Sequence, residues 1–307
     1  MAEIVGLVAL SHSPFWDLSL DVDGPGAQFV EGVKEARRIV AAQKPDALVI
    51  FGPDHFRNFF YDVLPPFCIG VETVSGFGDY GSPKGEIPAA SAFGRDIYAR
   101  VVESGFDPAF SLRMGVDHGI SQPYAALDES RAIPVVAVMV NAAGAPRPSM
   151  KRSYEFGRAV GGAIRQSDQA KRVMVLGSGG LSHWVRPVSE DDPQTDAEMR
   201  EYVIAGRDRV QAYSAMRDAS LADRKKGKVE GKVNPEWDRW FLGKVESGDL
   251  NAIFDLDTQE MEKTAGNGSH ELRAWMAALG AWGKPVKALS YEPVPSWVTG
   301  MGCIAGV

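Results

Sequence analysis

The chain has 307 residues, with 33 Lys and Arg against 40 Asp and Glu for a net charge of −7, and 45% of it is hydrophobic. That length buries a full core without disulfide or metal staples, and the acidic balance argues against a nucleic-acid surface. The two cysteines, Cys68 and Cys303, form no CxxC pair and no disulfide framework, which fits a reducing cytoplasm.

The opening MAEIVGLVAL has no basic n-region and is far shorter than the roughly 20 residues a bilayer requires, so a cytoplasmic protein without a membrane partner is expected. Ile4 to Leu10 reads as a strand and ends in Ser11-His12-Ser13-Pro14. Phe29, Val33, Ala36 and Ile39 then recur at helical spacing, and Pro45 closes that helix. Ala47 to Phe51 is continuous rather than alternating and stops at Gly52-Pro53, as a buried parallel strand does. Asp54 and His55 therefore fall just past a strand's carboxyl end, where open α/β sheets hold ligands.

Asp54 is expected to cap its turn, and Phe59, Phe60, Tyr61 and Phe67 either wall an aromatic pocket or join the core. Val71 to Pro88 carries Gly76, Gly78, Gly81 and Gly85 and reads as an ordered loop over a site. Phe93, Ile97 and Val101 mark a helix, and GVDHGISQP reads as a Gly-flanked turn holding Asp117 and His118. Ile133 to Val140 is a further strand, and Phe156, Val160 and Ile164 give the helix after it. Arg172 to Leu176, another strand, runs into Gly177-Ser178-Gly179-Gly180-Leu181-Ser182-His183.

Residues 194 to 265 read as a mostly helical excursion, broken at Asn234-Pro235, with Arg224, Lys225, Lys226 and Lys228 on a solvated helix face. In GNGSHELRAWMAAL, Ser269 is a candidate N-cap, and Leu272, Trp275, Met276 and Leu279 form the buried stripe. The tail from Val286 reads as one short strand and a wrapping segment. Together these elements predict a single α/β domain over 1–307. Its central sheet is mainly parallel or mixed and flanked by helices, with the helical excursion (about 194–265) in the C-terminal third.

All five histidines lie at strand ends, in Gly-rich turns or at a helix start, which favours a shared site over scattered structural roles. Two strand-end histidines and a distant carboxylate supply what a facial Fe(II) site requires: two neutral imidazoles, an anionic oxygen and a face open to substrate and O₂. His12, His55 and Glu271 meet that description. The chain lacks HExxH, yet spacing alone leaves a catalytic zinc of His₂Glu type, and hence a hydrolase, open. The GSGG turn lacks the spacing of a phosphate loop, and Ser178 and Ser182 lack a GxSxG elbow.

LSHSP at residues 10–14, PDHFRNFFYDVLPPFCIGV at 53–71, VDHG at 116–119 with Gln122-Pro123, LGSGGLSH at 176–183, NPEWD at 234–238 and SHELRAW at 269–275 occur in this order along the chain. Together they resemble the class III extradiol catechol dioxygenases nearly end to end. The resemblance implies that His12, His55 and Glu271 bind Fe(II) and that His118 and His183 are acid/base groups outside the metal's ligand set. His183 is expected to take a phenolic proton, and His118 to protonate or steer the oxygen species.

The implied reaction is extradiol ring cleavage in aromatic catabolism, with both atoms of O₂ inserted into a 3-substituted catechol such as 2,3-dihydroxyphenylpropionate. Asp117, Phe60, Tyr61 and Arg273 are candidate substrate contacts; Arg57, Arg113 and Arg186 compete with Arg273 for a substrate carboxylate. His270 receives no role beyond a structural or supporting one. Expected partners are the aromatic diol, O₂ and further copies of the chain. The other readings are cleavage of 2-aminophenol or gallate-type rings, a non-catalytic binding protein on the same scaffold, and the zinc hydrolase.

Overall fold

The structure, a computed structural model, describes residues 1–226 and 230–307, and the side chains outside 224–229. The cluster of Arg224, Lys225, Lys226 and Lys228 lies outside the described side chains. In chain order the elements are β1 (Glu3–Leu10), α1 (Ala27–Gln43), β2 (Ala47–Gly52), β3 (Phe67–Phe77), β4 (Lys84–Ile87), α2 (Ser91–Glu103), β5 (Ala109–Val116), α3 (His118–Leu127), β6 (Val135–Val140), α4 (Met150–Gln166) and β7 (Arg172–Ser178). There follow α5 (Ala197–Ala205), α6 (Val210–Lys226), α7 (Pro235–Ser247), α8 (Asn251–Phe254), α9 (Thr258–Ala265), α10 (Leu272–Trp282), β8 (Lys287–Val294) and β9 (Thr299–Gly306). No described helix is long and apolar enough to cross a membrane.

The nine strands form one mixed sheet in the order β4-β3-β6-β2-β7-β1-β9-β8, with β5 paired to β3. The four central strands, β6, β2, β7 and β1, are parallel, and β3 and β9 flank them antiparallel. Both sheet faces are covered. Leu7, Ala9, Val49 and Phe51 point into a core shared with α2, α4 and α10, and Val8, Leu10, Leu48 and Ile50 into one shared with α1 and α3. Burial on two sides is why these strands read as unbroken apolar runs, and each such Val, Leu, Ile or Phe side chain contributes roughly 1.5–3 kcal/mol.

Several local expectations change. Val71 to Pro88 is not a loop: β3 runs on to Phe77 and, after a short 3₁₀ turn, pairs with β4 (Val74↔Ile87, Phe77↔Lys84), and it also pairs with β5. Its glycines permit close approach, since a Cβ on Gly76 would lie 2.1 Å from the Pro83 carbonyl oxygen. GVDHG is not a free turn either, because α3 starts at His118 and the Asp117 side chain caps it by accepting from Gly119 N. Ser269 does not cap α10; its hydroxyl donates to Gly266 O inside a short 3₁₀ turn, Asn267–Glu271. The tail forms two antiparallel strands, and Pro293 is tolerated because β8 is an edge strand.

The helical excursion contacts the loop after β2. Phe56 and Phe60 pack with Met199, Tyr202, Val203 and Val210 in a separate small core, and the Tyr202 hydroxyl donates to Phe56 O at 2.8 Å. This clamp fixes the segment that carries His55.

Candidate active site

β2, β7 and β1 are parallel neighbours, so their carboxyl ends share one edge of the sheet. His55, His183 and His12 follow those three strands, His118 opens α3, and Glu271 ends the 3₁₀ turn before α10. The Glu271 carboxylate is where they meet: Oε2 lies 3.3 Å from His12 Nε2, and Oε1 lies 3.0 Å from His55 Nε2 and 3.5 Å from His183 Nε2. The rings of His12 and His118 stand edge-on at 5.1 Å, and those of His55 and His118 stack at 4.4 Å.

Each ring's other nitrogen is held from behind. His12 Nδ1 meets Ser178 Oγ at 2.9 Å, and His55 Nδ1 meets Asp117 Oδ2 at 3.0 Å. His118 Nδ1 meets Asp79 Oδ2 at 2.6 Å, and His183 Nδ1 donates to Leu181 O at 2.8 Å. With Nδ1 occupied, the Nε2 atoms are left to face the shared centre.

The GSGG turn is explained by proximity rather than by phosphate. Gly180 N donates to Glu271 Oε2 at 2.7 Å, and a Cβ on Gly179, whose φ is 148°, would lie 2.7 Å from the Glu271 carbonyl oxygen. Across the His183 ring, a Cβ on Gly268 would lie 2.1 Å from Nε2.

Burial pulls the His12 pKa down to about 3, so its imidazole is neutral and its nitrogen free to ligate. Burial acts on His55 in the same direction, but Asp117 and Glu271 outweigh it and hold its pKa well above the ordinary value. His183 is raised against its burial by Glu271. Glu271, though buried, is held well below the usual carboxylate range by the histidines around it. Ring nitrogens of His12, His55 and His118 lie within 4.8 Å of one another, a group able to hold a metal ion. Glu271 offers that group an anionic oxygen, with Oε2 3.3 Å from His12 Nε2 and Oε1 3.0 Å from His55 Nε2, the donor chemistry of a histidine/carboxylate site.

A cavity beside this cluster is walled by His55, Glu271, Pro53, Ala142, Val188 and Arg147, among others. Of the other residues anticipated as substrate contacts, none reaches it directly. Asp117 backs His55. Phe60 is fully buried in the small core, and Tyr61 sits behind the cavity wall, its hydroxyl 3.0 Å from Ser189 Oγ. Arg273 is buried with Nε donating to Pro148 O and Nη1 to His270 Nδ1. His270 turns away from the other histidines, and its Nε2 lies 2.6 Å from Glu262 Oε1. Asp54 caps its turn by accepting from Arg57, Asn58 and Phe59 N.

Asp79, Ser178 and Arg147 are the residues that sequence reasoning missed. Arg147 follows β6, whose carboxyl end lies on the same sheet edge as that of β2, so the signal that found His55 was available for it. Asp79 carries no comparable local signal.

A family model described as the catalytic LigB subunit of aromatic ring-opening dioxygenase matches residues 6–302. The chain is similar to two proteins named 2,3-dihydroxyphenylpropionate/2,3-dihydroxicinnamic acid 1,2-dioxygenase. The one from Paraburkholderia xenovorans is 38% identical, with 97% of this chain and 96% of the relative covered. The one from a Rhodococcus species is 38% identical, with 99% and 98% covered. The fold resembles the crystal structure of the uncharacterized protein JW3007 from Escherichia coli K12, with a TM-score of 0.55 at 12% identity over 98% of this chain and 99% of that one. A match over nearly the whole length, on a sheet edge that gathers three histidines around one carboxylate with a fourth beside them, places the chain in the LigB family of aromatic ring-opening dioxygenases.

Proposed function

We propose that the protein is an Fe(II)-dependent extradiol dioxygenase that inserts both atoms of O₂ into a 3-substituted catechol, 2,3-dihydroxyphenylpropionate among them. The observation that carries this reading is the Glu271 carboxylate 3.3 and 3.0 Å from Nε2 of His12 and His55, with the Nδ1 atoms tied to Ser178 and Asp117. Two imidazoles and one carboxylate on one side leave room for substrate, as a facial Fe(II) site needs. Held there, Fe(II) would supply the Lewis acidity and one-electron chemistry that cleavage by O₂ requires.

The chain's own residues handle the protons. His183 donates its Nδ1 proton to Leu181 O, so the neutral ring offers a lone pair at Nε2, which takes the phenolic proton of the diol. Asp79 fixes Nδ1 of His118, so proton exchange there also passes through Nε2, toward the oxygen being inserted. Asp79→Asn is accordingly expected to lower kcat about 10- to 100-fold with metal content unchanged. Metal loss in parallel with kcat would mean that Asp79 acts on the metal centre instead.

The reading is tested by loading the protein with Fe(II) anaerobically, adding 2,3-dihydroxyphenylpropionate and admitting air. A yellow ring-opened product and one O₂ consumed per ring are expected. No turnover of catechols, 2-aminophenols or gallates despite bound iron would sink it.

A further inference from the structure

We propose that Arg147 is the specificity-determining cation of this cavity, holding a carboxylate on the side chain of the catechol while the diol faces His55 and Glu271. The inference rests on the ring-cleaving function proposed above and deepens it. Among the described residues walling the cavity, Arg147 is the one arginine or lysine, and His55 and Glu271 line the same space. The arginines that the sequence suggested are committed elsewhere: Arg57 Nη1 donates to His55 O, Arg186 pairs with Asp196, and Arg273 lies behind His270. Arg113 is exposed on β5.

Two backbone carbonyls fix the guanidinium plane of Arg147. Nε donates to Ala142 O at 2.8 Å and Nη2 to Ala143 O at 3.1 Å. Nη1 reaches Glu262 Oε1 only at 3.4 Å, and that same oxygen meets His270 Nε2 at 2.6 Å. Arg273 stands on the far side of His270, so two guanidinium charges share one carboxylate. Asp191 and Asp192 act on Arg147 only through space, so its one close carboxylate is shared, at a wall where its side chain is only 11% exposed.

A buried cation short of an opposite charge is costly, and a ligand that brings one is favoured there. Burial accordingly draws the Arg147 pKa below its usual value despite Glu262. A guanidinium already oriented by two carbonyls also loses little freedom on meeting a planar carboxylate, and it retains N–H donors for one. The apolar wall from Pro53, Ala142 and Val188 suits the methylene stem between ring and carboxylate.

The test compares 2,3-dihydroxyphenylpropionate with 3-propylcatechol, which lacks the charge, on the iron-loaded protein. The wild type is expected to prefer the acid in kcat/KM. Arg147→Gln should cut that preference about 10- to 100-fold, mostly through KM for the acid, and Arg147→Lys should keep a larger share of it. Glu262→Gln, which removes the competing carboxylate, should increase the preference. Equal losses on both substrates in Arg147→Gln, or a preference lowered by Glu262→Gln, would overturn the assignment. A wild type that cleaves 3-propylcatechol as well as the acid also overturns it while leaving the ring-cleaving function standing. A wild type that cleaves neither removes that function and the inference with it.

Discussion

His55→Ala is expected to strip the protein of its metal and to lower turnover by more than about 10³-fold, because losing only a partner that orients a ligand typically costs 10- to 100-fold. His55 Nε2 lies 3.0 Å from Glu271, and its Nδ1 and backbone N are both held by Asp117, so its nitrogen is aimed at the centre by the backbone as well as by the ring. The same contacts set a pH dependence. Without metal, burial disfavours the His55 imidazolium, but Asp117 and Glu271 outweigh it, so the ring keeps a proton that an incoming metal must expel. Apparent metal affinity should therefore fall about tenfold per pH unit below the raised pKa of His55.

The sign for the metal-free fold is opposite. A raised folded-state pKa stabilises the metal-free protein fully below the unfolded value near 6.5, and that contribution is lost as pH rises through the folded one. Metal should thus raise Tm more at alkaline than at acid pH. Metal content by elemental analysis and Tm with and without chelator check both. A His55→Ala protein that binds metal as tightly as wild type would remove His55 from the ligand set.

The parts of this site legible in the sequence are those that backbone position alone decides. His12, His55 and His183 follow strands buried on both faces, whose apolar runs are unmistakable, and parallel neighbours place their ends together. Asp79 was illegible because its meeting with His118 depends on register. Gly76 of β3 pairs with Val116 of β5, so the residues just past each strand end become neighbours although 39 positions apart. Glycines that looked like loop punctuation let strands approach closely there. Phe60 and Tyr61 could not be placed either, since helices α5 and α6, over 100 residues later, decide that they face a small core rather than a ligand. Arg147 follows a strand end whereas Arg273 opens a helix, but the carbonyls to which each is pinned are visible only in the structure.

His183→Ala is the complementary case, expected to retain metal and to lose about 10²- to 10⁴-fold in kcat, the usual range for a general base. Its Nε2 lies 3.5 Å from Glu271 Oε1, farther than the 3.0 and 3.3 Å of His55 and His12, so it stands one step outside the group that would hold the ion. The ring lies against Gly268 and Gly180, with Nδ1 pinned to Leu181 O, which leaves Nε2 at the centre without a protein proton to donate when neutral. Removing the ring leaves Glu271 its bond from Gly180 N and its contacts with His12 and His55, the proposed ligands, in place. The loss should therefore fall on proton transfer: substrate binding persists, kcat drops, and the acid limb of the pH–rate profile flattens. Metal loss equal to that of His55→Ala would show instead that His183 belongs to the ligand set.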